Sequence, residues 1–540
     1  MDIWNVSTPE GTRDRLFAEC RSIREVEAAI TGAFAEKGYS EITTPEVEFY
    51  DLFIKTGNPL PQESMMKIVD RSGRILVMRP DSTTPIARVA ATRLRAAEKP
   101  LRLYYNQTVF RSSDEHKGAE REIPQCGIEL IGADGVGADV EVLAAAVDAL
   151  RAAGADDFQI EIGHAGFFRA LTQSLGADSE TVERIRLLTE RKNFAALDEC
   201  LAPFAGSEAA AALGRLSHLF GGPEVLQEAK ELFGGESGKK ALEYLAELYA
   251  ELEKRGYGDV ITFDLGLVHQ IDYYTGIVFR GYVRGAAANV LSGGRYDRLL
   301  SYFGVDCPAI GFAVDTDSLA HSLEISAVKP GERLRIAITK GRLLEKSIEM
   351  FERIGLDCTE LRNPGRRLVL KVGNYPLDVV MSKAPDVITY VENGVCDMGI
   401  VGRDTILENG SSFYEVLDLG FGRCRFALAV KNGEDFYATY RSRRIASKYP
   451  NVAKRYFEKK GMDVSVIKIE GSVELAPILD LADAIVDIVE TGSTLRANDL
   501  VPVETLHEIS ARLIVNTASM KLHKDRILDF MKKCEAAKDA

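Results

Sequence analysis

At 540 residues and ~100–200 residues per domain, the chain holds roughly three or four domains, which excludes a single small binding module. With 46% hydrophobic and 27% charged residues it can fill more than one core, so global disorder is excluded too. Lys+Arg 67 against Asp+Glu 81 leaves a net charge of −14, a sign that repels polyanions and requires a local basic pocket for any anionic ligand.

The polar start Met1-Asp2-Ile3-Trp4-Asn5 lacks a secretory apolar core, and no apolar run approaches the ~18–20 residues of a bilayer span. The expectation is a cytoplasmic protein with no membrane partner. Eight cysteines without a CxxC pair predict buried reduced thiols and no zinc site or disulfide framework.

Arg21 to Gly38 reads as a helix with a glycine stop, and Tyr39 to Phe49 as a strand broken at Pro45. Strand-like segments follow at 76–78, 103–105, 126–131 and 158–162, with helices between, which predicts a mixed, largely antiparallel α+β domain. From about 166 to 256 the pattern turns helical, with stops at Gly221-Gly222 and Gly234-Gly235, and reads as an inserted helical subdomain. Strand-like text resumes at Val260 and runs to Phe312. The Pro-Gly-charged stretch at 327–332 sets the main boundary, giving domains 1–328 and 333–540. Beyond it, strands near 334–338, 377–381, 398–401, 426–430, 444–447, 464–469 and 484–489 alternate with helices. That rhythm predicts parallel sheets with helices on their faces, in a two-lobed α/β half.

The sharpest local signal there is Ala484-Ile485-Val486-Asp487-Ile488-Val489-Glu490-Thr491-Gly492-Ser493-Thr494-Leu495, an apolar strand ending in acid and a hydroxyl-rich turn. Gly492 permits close approach of the backbone. N–H groups, the hydroxyls of Thr491, Ser493 and Thr494, and the start of a following helix can then hold a phosphate. Asp487 and Glu490 can accept hydrogen bonds from ribose hydroxyls. The bland reading is a plain strand-to-helix turn, which the two carboxylates make less attractive. A second loop, Thr339-Lys340-Gly341-Arg342-Leu343, follows the first strand of this half, where open parallel sheets bind ligands, so Lys340 and Arg342 would face phosphates. Arg366, Arg367, Lys371, Lys383, Arg403, Arg423 and Arg425 are spread over the same half, each by itself a surface charge.

Leu419-Gly420-Phe421-Gly422-Arg423-Cys424-Arg425, Gly471-Ser472-Val473-Glu474-Leu475-Ala476-Pro477 and 487–498 resemble ATP phosphoribosyltransferase, the first enzyme of histidine biosynthesis, over essentially 333–540. The text is similar to the short form of that family, which lacks a C-terminal regulatory domain. The resemblance implies attack of the adenine N1 of ATP on C1 of phosphoribosyl pyrophosphate, with Mg2+ bound with substrate and no resident metal site. It also implies that 491–495 (Thr491, Gly492, Ser493, Thr494, Leu495) hold the 5-phosphate and that Asp487 and Glu490 lie near the ribose. Lys340, Arg342 and Arg366 would be catalytic, meeting pyrophosphate or triphosphate. Where the family has Arg-Ala-x-Asp-Val-Pro, this chain has Lys383-Ala384-Pro385-Asp386-Val387-Ile388. A planar bidentate donor becomes a point charge, and whether Lys383 takes over its role stays open.

In the first half, Met78-Arg79-Pro80-Asp81-Ser82-Thr83-Thr84-Pro85, Phe110-Arg111 with Arg121, Gln125 and Glu129, Asp272-Tyr273-Tyr274-Thr275 and Gly293-Gly294-Arg295-Tyr296-Asp297 resemble the class II core of histidyl-tRNA synthetase, over about 1–325. The resemblance implies that Asp81, Thr83, Arg111, Gln125, Glu129, Tyr273 and Tyr274 bind histidine, with Tyr296 nearby. A buried carboxylate beside tyrosines is also what a satisfied polar core looks like. The departures are specific. His269 stands for the family's catalytic Arg, Ser318 for its ATP-binding Arg, and Ser113 and 114–116 for a Glu and an Arg-Pro-Gln, and no anticodon-binding domain follows. The pattern is similar to the regulatory subunit of the short-form transferase, a synthetase relative that charges no tRNA.

The expectation is therefore a fusion of regulatory and catalytic subunits that makes phosphoribosyl-ATP and is inhibited by histidine. A homo-oligomer such as a tetramer is expected. Two alternatives stand beside it: a functional histidyl-tRNA synthetase joined to a transferase, and a two-lobed small-ligand binding protein.

Overall fold

A computed structural model describes residues 7–56, 61–112, 120–232, 235–268, 273–328, 333–410, 412–438 and 441–538. The chain divides into two compact units, 1–330 and 331–540. The boundary stretch 329–332 and the departures at 113–116 and His269 lie outside the described residues.

The first unit is built on a nine-stranded sheet in the order Ser40–Glu41, Leu101–Phe110, Glu122–Ile131, Ala309–Asp315, Leu291–Arg295, Ile277–Val283, Phe158–His164, Ile261–Asp264, Phe220–Gly221. Only the first pair and the pairing of Phe158–His164 with Ile261–Asp264 are parallel. The two-residue period sorts side chains between faces. On Glu122–Ile131, Cys126, Ile128 and Leu130 enter the main core, and Gln125, Gly127 and Glu129 point the other way. Helix Ala18–Glu36 begins three residues before the predicted start and covers the core face with Ile23, Val26, Ile30 and Phe34, a 3–4 spacing that makes one apolar stripe. Each such buried side chain is worth ~1.5–3 kcal/mol. Gly38, with φ 82°, supplies the left-handed turn that ends the helix.

Between the strands Phe158–His164 and Ile261–Asp264 lie six helices, Ala165–Leu175, Ser179–Glu190, Phe194–Leu201, Glu208–Leu216, Glu224–Leu232 and Glu236–Lys254. Four start on side-chain caps from His164, Asp178, Asn193 and Ser207. The glycine pair at 221–222 proves to be more than a stop, since Phe220–Gly221 pairs with Ile261–Asp264 and extends the sheet.

The second unit contains two sheets. One runs Val369–Lys371, Leu377–Ser382, Leu334–Thr339, Met398–Gly402, Ala511–Asn516, Phe413–Asp418; the other runs Val464–Lys468, Arg443–Ser447, Ala484–Val489, Cys424–Lys431, Leu500–Ile509. Both are mixed, which corrects the expectation of parallel sheets. Parallel pairs lie at the centre of the first and along one edge of the second, whereas Phe413–Asp418, Cys424–Lys431, Leu500–Ile509 and Ala511–Asn516 pair antiparallel. Leu500–Ile509 escapes the pattern because it is an edge strand. Pro502 and the exposed Glu508 break its apolar text, as edges tolerate. The chain passes between the sheets twice, and the passages are tied by Leu419 N–H to Ala511 O and Ala511 N–H to Phe421 O, each at 2.9 Å.

Among the described residues, no helix is long and apolar enough to cross a membrane. Five cysteines are buried as expected, but Cys20 is exposed and Cys200 and Cys424 are half-buried.

Candidate functional sites

On the sheet face away from the main core, neighbouring strands place small residues side by side. Gly127, Gly311 with Ala313, and Gly294 with Ser292 share that face by register. They leave a hollow of ≈390 Å³. A Cβ at Gly311 would strike the Glu129 carboxylate, and one at Gly294 would strike the Tyr274 ring at 2.6 Å. These positions require glycine because the Glu129 and Tyr274 side chains occupy the space.

The hollow is lined by Asp81, Thr83, Arg111, Gln125, Tyr273 and Tyr274, six of the seven residues expected to meet histidine, together with Tyr105 and Tyr296. The seventh, Glu129, lies behind this lining and is 1% exposed. It accepts hydrogen bonds from Thr83 Oγ1 at 2.7 Å and from the Tyr296 hydroxyl. Burial pushes its carboxyl up to about 8, against the pull of those two hydroxyls and with the nearby Asp81 adding to the rise. Asp81 is held by Thr84 N–H at 2.8 Å. Its loop is pinned by the buried Arg79, which donates to the carbonyls of Thr44, Pro45 and Thr108 at 2.7–2.9 Å. Arg111 donates from Nε to Pro80 O at 3.0 Å. Burial lowers its pKa while Asp81 and Asp315 oppose that shift. Tyr273 stacks on Tyr296 with ring centroids 5.7 Å apart, and burial raises the Tyr274 phenol to about 12. The phenols are therefore neutral donors. Such an arrangement can take a small zwitterion with a further polar group, its carboxylate at Arg111, its cation at Asp81, and a hydrogen-bonding ring at Glu129 and the tyrosines.

Ser318, where an ATP-binding Arg would stand, donates from N and Oγ to Asp315 at 3.0 and 2.7 Å, and Asp315 thereby caps helix Thr316–Val328. Sequence reasoning missed Arg280, Asn289 and Gly311 of the lining. The available signal was small or polar residues at every second position on adjacent strands.

In the second unit, strand Leu334–Thr339 ends in Lys340 and Gly341 (φ 87°), and helix Arg342–Arg353 begins there. Strand Ala484–Val489 of the other sheet ends at Glu490. Arg342 Nη1 meets both Glu490 oxygens at 2.8 Å, so the two expected loops come together across the sheets. The pair is 57% and 52% exposed, hence worth little to stability and free to exchange partners. Thr491 Oγ1 and Ser493 Oγ lie 3.0 Å apart, Thr494 is exposed, and the buried Leu495 anchors the turn. Gly492 takes φ 71°. The following helix, Ser493–Ala497, has only five residues. Hydroxyls and turn N–H groups therefore outweigh the helix end that the sequence suggested. Burial raises the Asp487 carboxyl to about 6, with Glu474 adding, and its Oδ1 already accepts from Ile488 N–H at 2.8 Å.

Arg366 is exposed, and no described contact joins it to these loops. Lys383 is exposed ahead of helix Ala384–Glu392. Arg367 is spent on Glu360 at 3.1 Å, and Arg423 on Gly420 O at 3.1 Å. Arg425 is the added candidate. It sits opposite Val489, one residue before Glu490, with an enclosed Nε that has no hydrogen-bond partner among the described residues.

A pocket on a largely antiparallel sheet and a hydroxyl-rich turn beside paired charges on an α/β unit define a two-part α+β and α/β protein. Comparison with known proteins bears on both parts. The family model for histidyl-tRNA synthetase matches residues 11–319, and that for ATP phosphoribosyltransferase matches residues 383–536. The ATP phosphoribosyltransferase regulatory subunit of Clostridium kluyveri is 43% identical over 324 residues, covering 59% of this chain and 83% of that protein. That of Clostridium acetobutylicum is 40% identical over 319 residues, covering 58% and 78%. Among solved structures, an ATP phosphoribosyltransferase regulatory subunit/histidyl-tRNA synthetase from Bacillus halodurans superposes with a TM-score of 0.57 at 31% identity, covering 70% of this chain and 93% of that one. The chain belongs to the ATP phosphoribosyltransferase regulatory subunit family through its histidyl-tRNA-synthetase-like first unit, and its second unit carries an ATP phosphoribosyltransferase domain, a pentosyltransferase. The match to the transferase begins at 383, so Lys340, Arg342 and Arg366 precede it.

The raised Glu129 pKa fixes a pH dependence. Between its ordinary value of 4.5 and about 8, the folded chain keeps a proton that the unfolded chain has released. This one group then lowers stability by up to ~1.4 kcal/mol per pH unit as pH rises. Glu129→Gln escapes that loss. In scanning calorimetry without ligand its melting temperature, relative to the parent, climbs between about pH 5 and about pH 8. A constant difference would refute the raised value.

Proposed function

We propose that the chain joins ATP to phosphoribosyl pyrophosphate, giving phosphoribosyl-ATP and pyrophosphate, and that histidine bound in the first-unit hollow inhibits it. The observation that carries the transfer reading is the meeting of Arg342 with Glu490 at the Asp487–Leu495 turn, in a unit matched to ATP phosphoribosyltransferase. Adenine N1 attacks the ribose C1 as the C1–oxygen bond to pyrophosphate breaks. No protein nucleophile is needed, and catalysis rests on alignment and charge. Thr491, Gly492, Ser493, Thr494 and Leu495 hold the 5-phosphate, with Asp487 and Glu490 beside the ribose hydroxyls. Lys340, Arg342 and Arg366 neutralise the departing pyrophosphate or the triphosphate, Arg342 leaving Glu490 for the ligand. Mg2+ arrives as part of the polyphosphate substrate. The two joined sheets support a two-lobed, periplasmic-binding-protein-like arrangement. A homo-oligomer such as a tetramer in the cytoplasm completes the reading.

For regulation, Arg111 takes the histidine carboxylate and Asp81 its ammonium, while Gln125, Glu129, Thr83, Tyr273 and Tyr274 enclose the imidazole. Ser318 engaged in a helix cap leaves no cation at that position for ATP, which disfavours the synthetase reading.

Purified protein with ATP, phosphoribosyl pyrophosphate and Mg2+ is expected to form phosphoribosyl-ATP in a steady-state absorbance assay, and absence of product across pH and Mg2+ overturns the reading. Thr494→Val keeps shape and removes a hydroxyl, so KM for phosphoribosyl pyrophosphate should rise roughly tenfold or more. An unchanged KM removes the turn from the site.

Glu129→Ala strips Thr83 and Tyr296 of their acceptor. It should raise the histidine concentration that halves turnover while leaving uninhibited turnover intact. Competition at the transferase site predicts no change instead. Histidine-dependent exchange of pyrophosphate into ATP should be absent, and its detection would restore the synthetase alternative.

A further inference from the structure

Two helices of the inserted segment touch wall residues of the hollow, and a third reaches the residue before Tyr296 through Asp139. Glu190 ends helix Ser179–Glu190. One of its oxygens accepts from Arg280 Nη2 at 3.3 Å and the other from Arg186 Nη1 at 2.9 Å. Arg280 lines the hollow from strand Ile277–Val283. Arg169, on Ala165–Leu175, donates to the Tyr274 carbonyl. Tyr244, on Glu236–Lys254, donates to Asp139 Oδ2 at 2.7 Å, and Asp139 Oδ1 accepts from Arg295 Nε at 2.9 Å. Arg295 immediately precedes Tyr296, the donor to Glu129.

These links lie where polar contacts carry weight. The Arg280 and Glu190 side chains are only 18% and 20% exposed, and Arg295 and Asp139 are 5% and 0% exposed. Breaking one partner of such a pair leaves an uncompensated buried charge. The insertion thus grips Arg280, Tyr274 and the Arg295 that precedes Tyr296 by separate routes.

We propose that Glu190, Arg169 and Tyr244 are positioning residues for the hollow and that the inserted helices are the element through which its occupancy is read. This rests on the reading of the hollow as a histidine site. A ligand that draws Arg280 and Tyr274 onto itself tightens the helices holding them. By reciprocity, loosening those helices weakens the ligand.

The full chain, Glu190→Gln and Tyr244→Phe are titrated with histidine by calorimetry, and amide hydrogen exchange over 165–190 is followed with and without histidine. Glu190→Gln keeps size and Tyr244→Phe keeps the ring, so either variant serves should the other fold poorly. The expected result is slowed exchange over 165–190 in the parent on adding histidine. The slowing is lost in the variants, Kd rises roughly fivefold or more, and uninhibited transferase turnover is unchanged. Glu190→Asp, which keeps the charge, should recover part of the affinity. A parent that binds histidine without slowed exchange, or variants that bind as tightly as the parent, overturn the inference and leave the histidine site standing. A parent that takes up no histidine overturns both.

Discussion

A carboxyl buried without a cation beside it governs the first unit. Glu129 sits at the middle of the sheet with hydroxyls as its hydrogen-bond partners, so burial, and not a charge, sets its protonation. Its neighbours follow from it. Gly311 must lack a side chain for the carboxyl to fit. Tyr296 must reach it, and the chain holds Tyr296 by pairing Arg295 with Asp139 beneath. A purely apolar face would pack more firmly. A polar cluster kept at the middle of a sheet face is what a recognition site requires.

The transferase unit solves the opposite problem. On the proposed reading its ligands are polyanions, and its chain is acidic overall, so cations must be kept available without drawing the wrong anion. In that proposal, pairing Arg342 with Glu490 in the open serves the need. Two half-exposed groups hold each other weakly, and a phosphate with bidentate geometry outcompetes a single carboxylate reached by one guanidinium nitrogen. Arg425, with its Nε enclosed and its backbone opposite Val489 in the sheet, closes the 419–425 motif and is a guanidinium to which that motif alone gave no role.

Much of this was legible in the chain. The helix stop at Gly38, the inserted helices and the turn at 491–494 follow from glycine placement and periodicity, which are local. The antiparallel strands Phe413–Asp418 and Leu500–Ile509 were not legible. The first is short, and the second is an edge strand whose outward positions carry Pro502, Glu504 and Glu508, so neither presents a clean alternation. Asp81, Thr83, Arg111 and Gln125 were found as motif neighbours, yet Arg280 was not, because it enters the hollow only through strand register with Ser292. Arg366 shows the converse: a basic residue of the expected type, on a loop that brings it into no described contact with its supposed companions. Residue type is readable along a chain, whereas convergence is a property of pairing.

The loss of synthetase features and the retention of the pocket are two aspects of one economy. An enzyme that activates histidine must hold the amino acid, ATP and the charge that develops between them, and binding energy is then committed to the transition state. Here the position that would meet ATP closes a helix cap through Ser318 and Asp315, and the recognition side chains remain. On the proposed reading, binding energy at the hollow has no chemical step to drive. It is free to bias one conformation of the surrounding strands and helices over another. A bias of ~1–3 kcal/mol is enough to change affinity at a second site by several-fold to about a hundredfold. That amount is comparable to one or two buried polar contacts of the kind that join the inserted helices to Arg280, Tyr274 and Arg295.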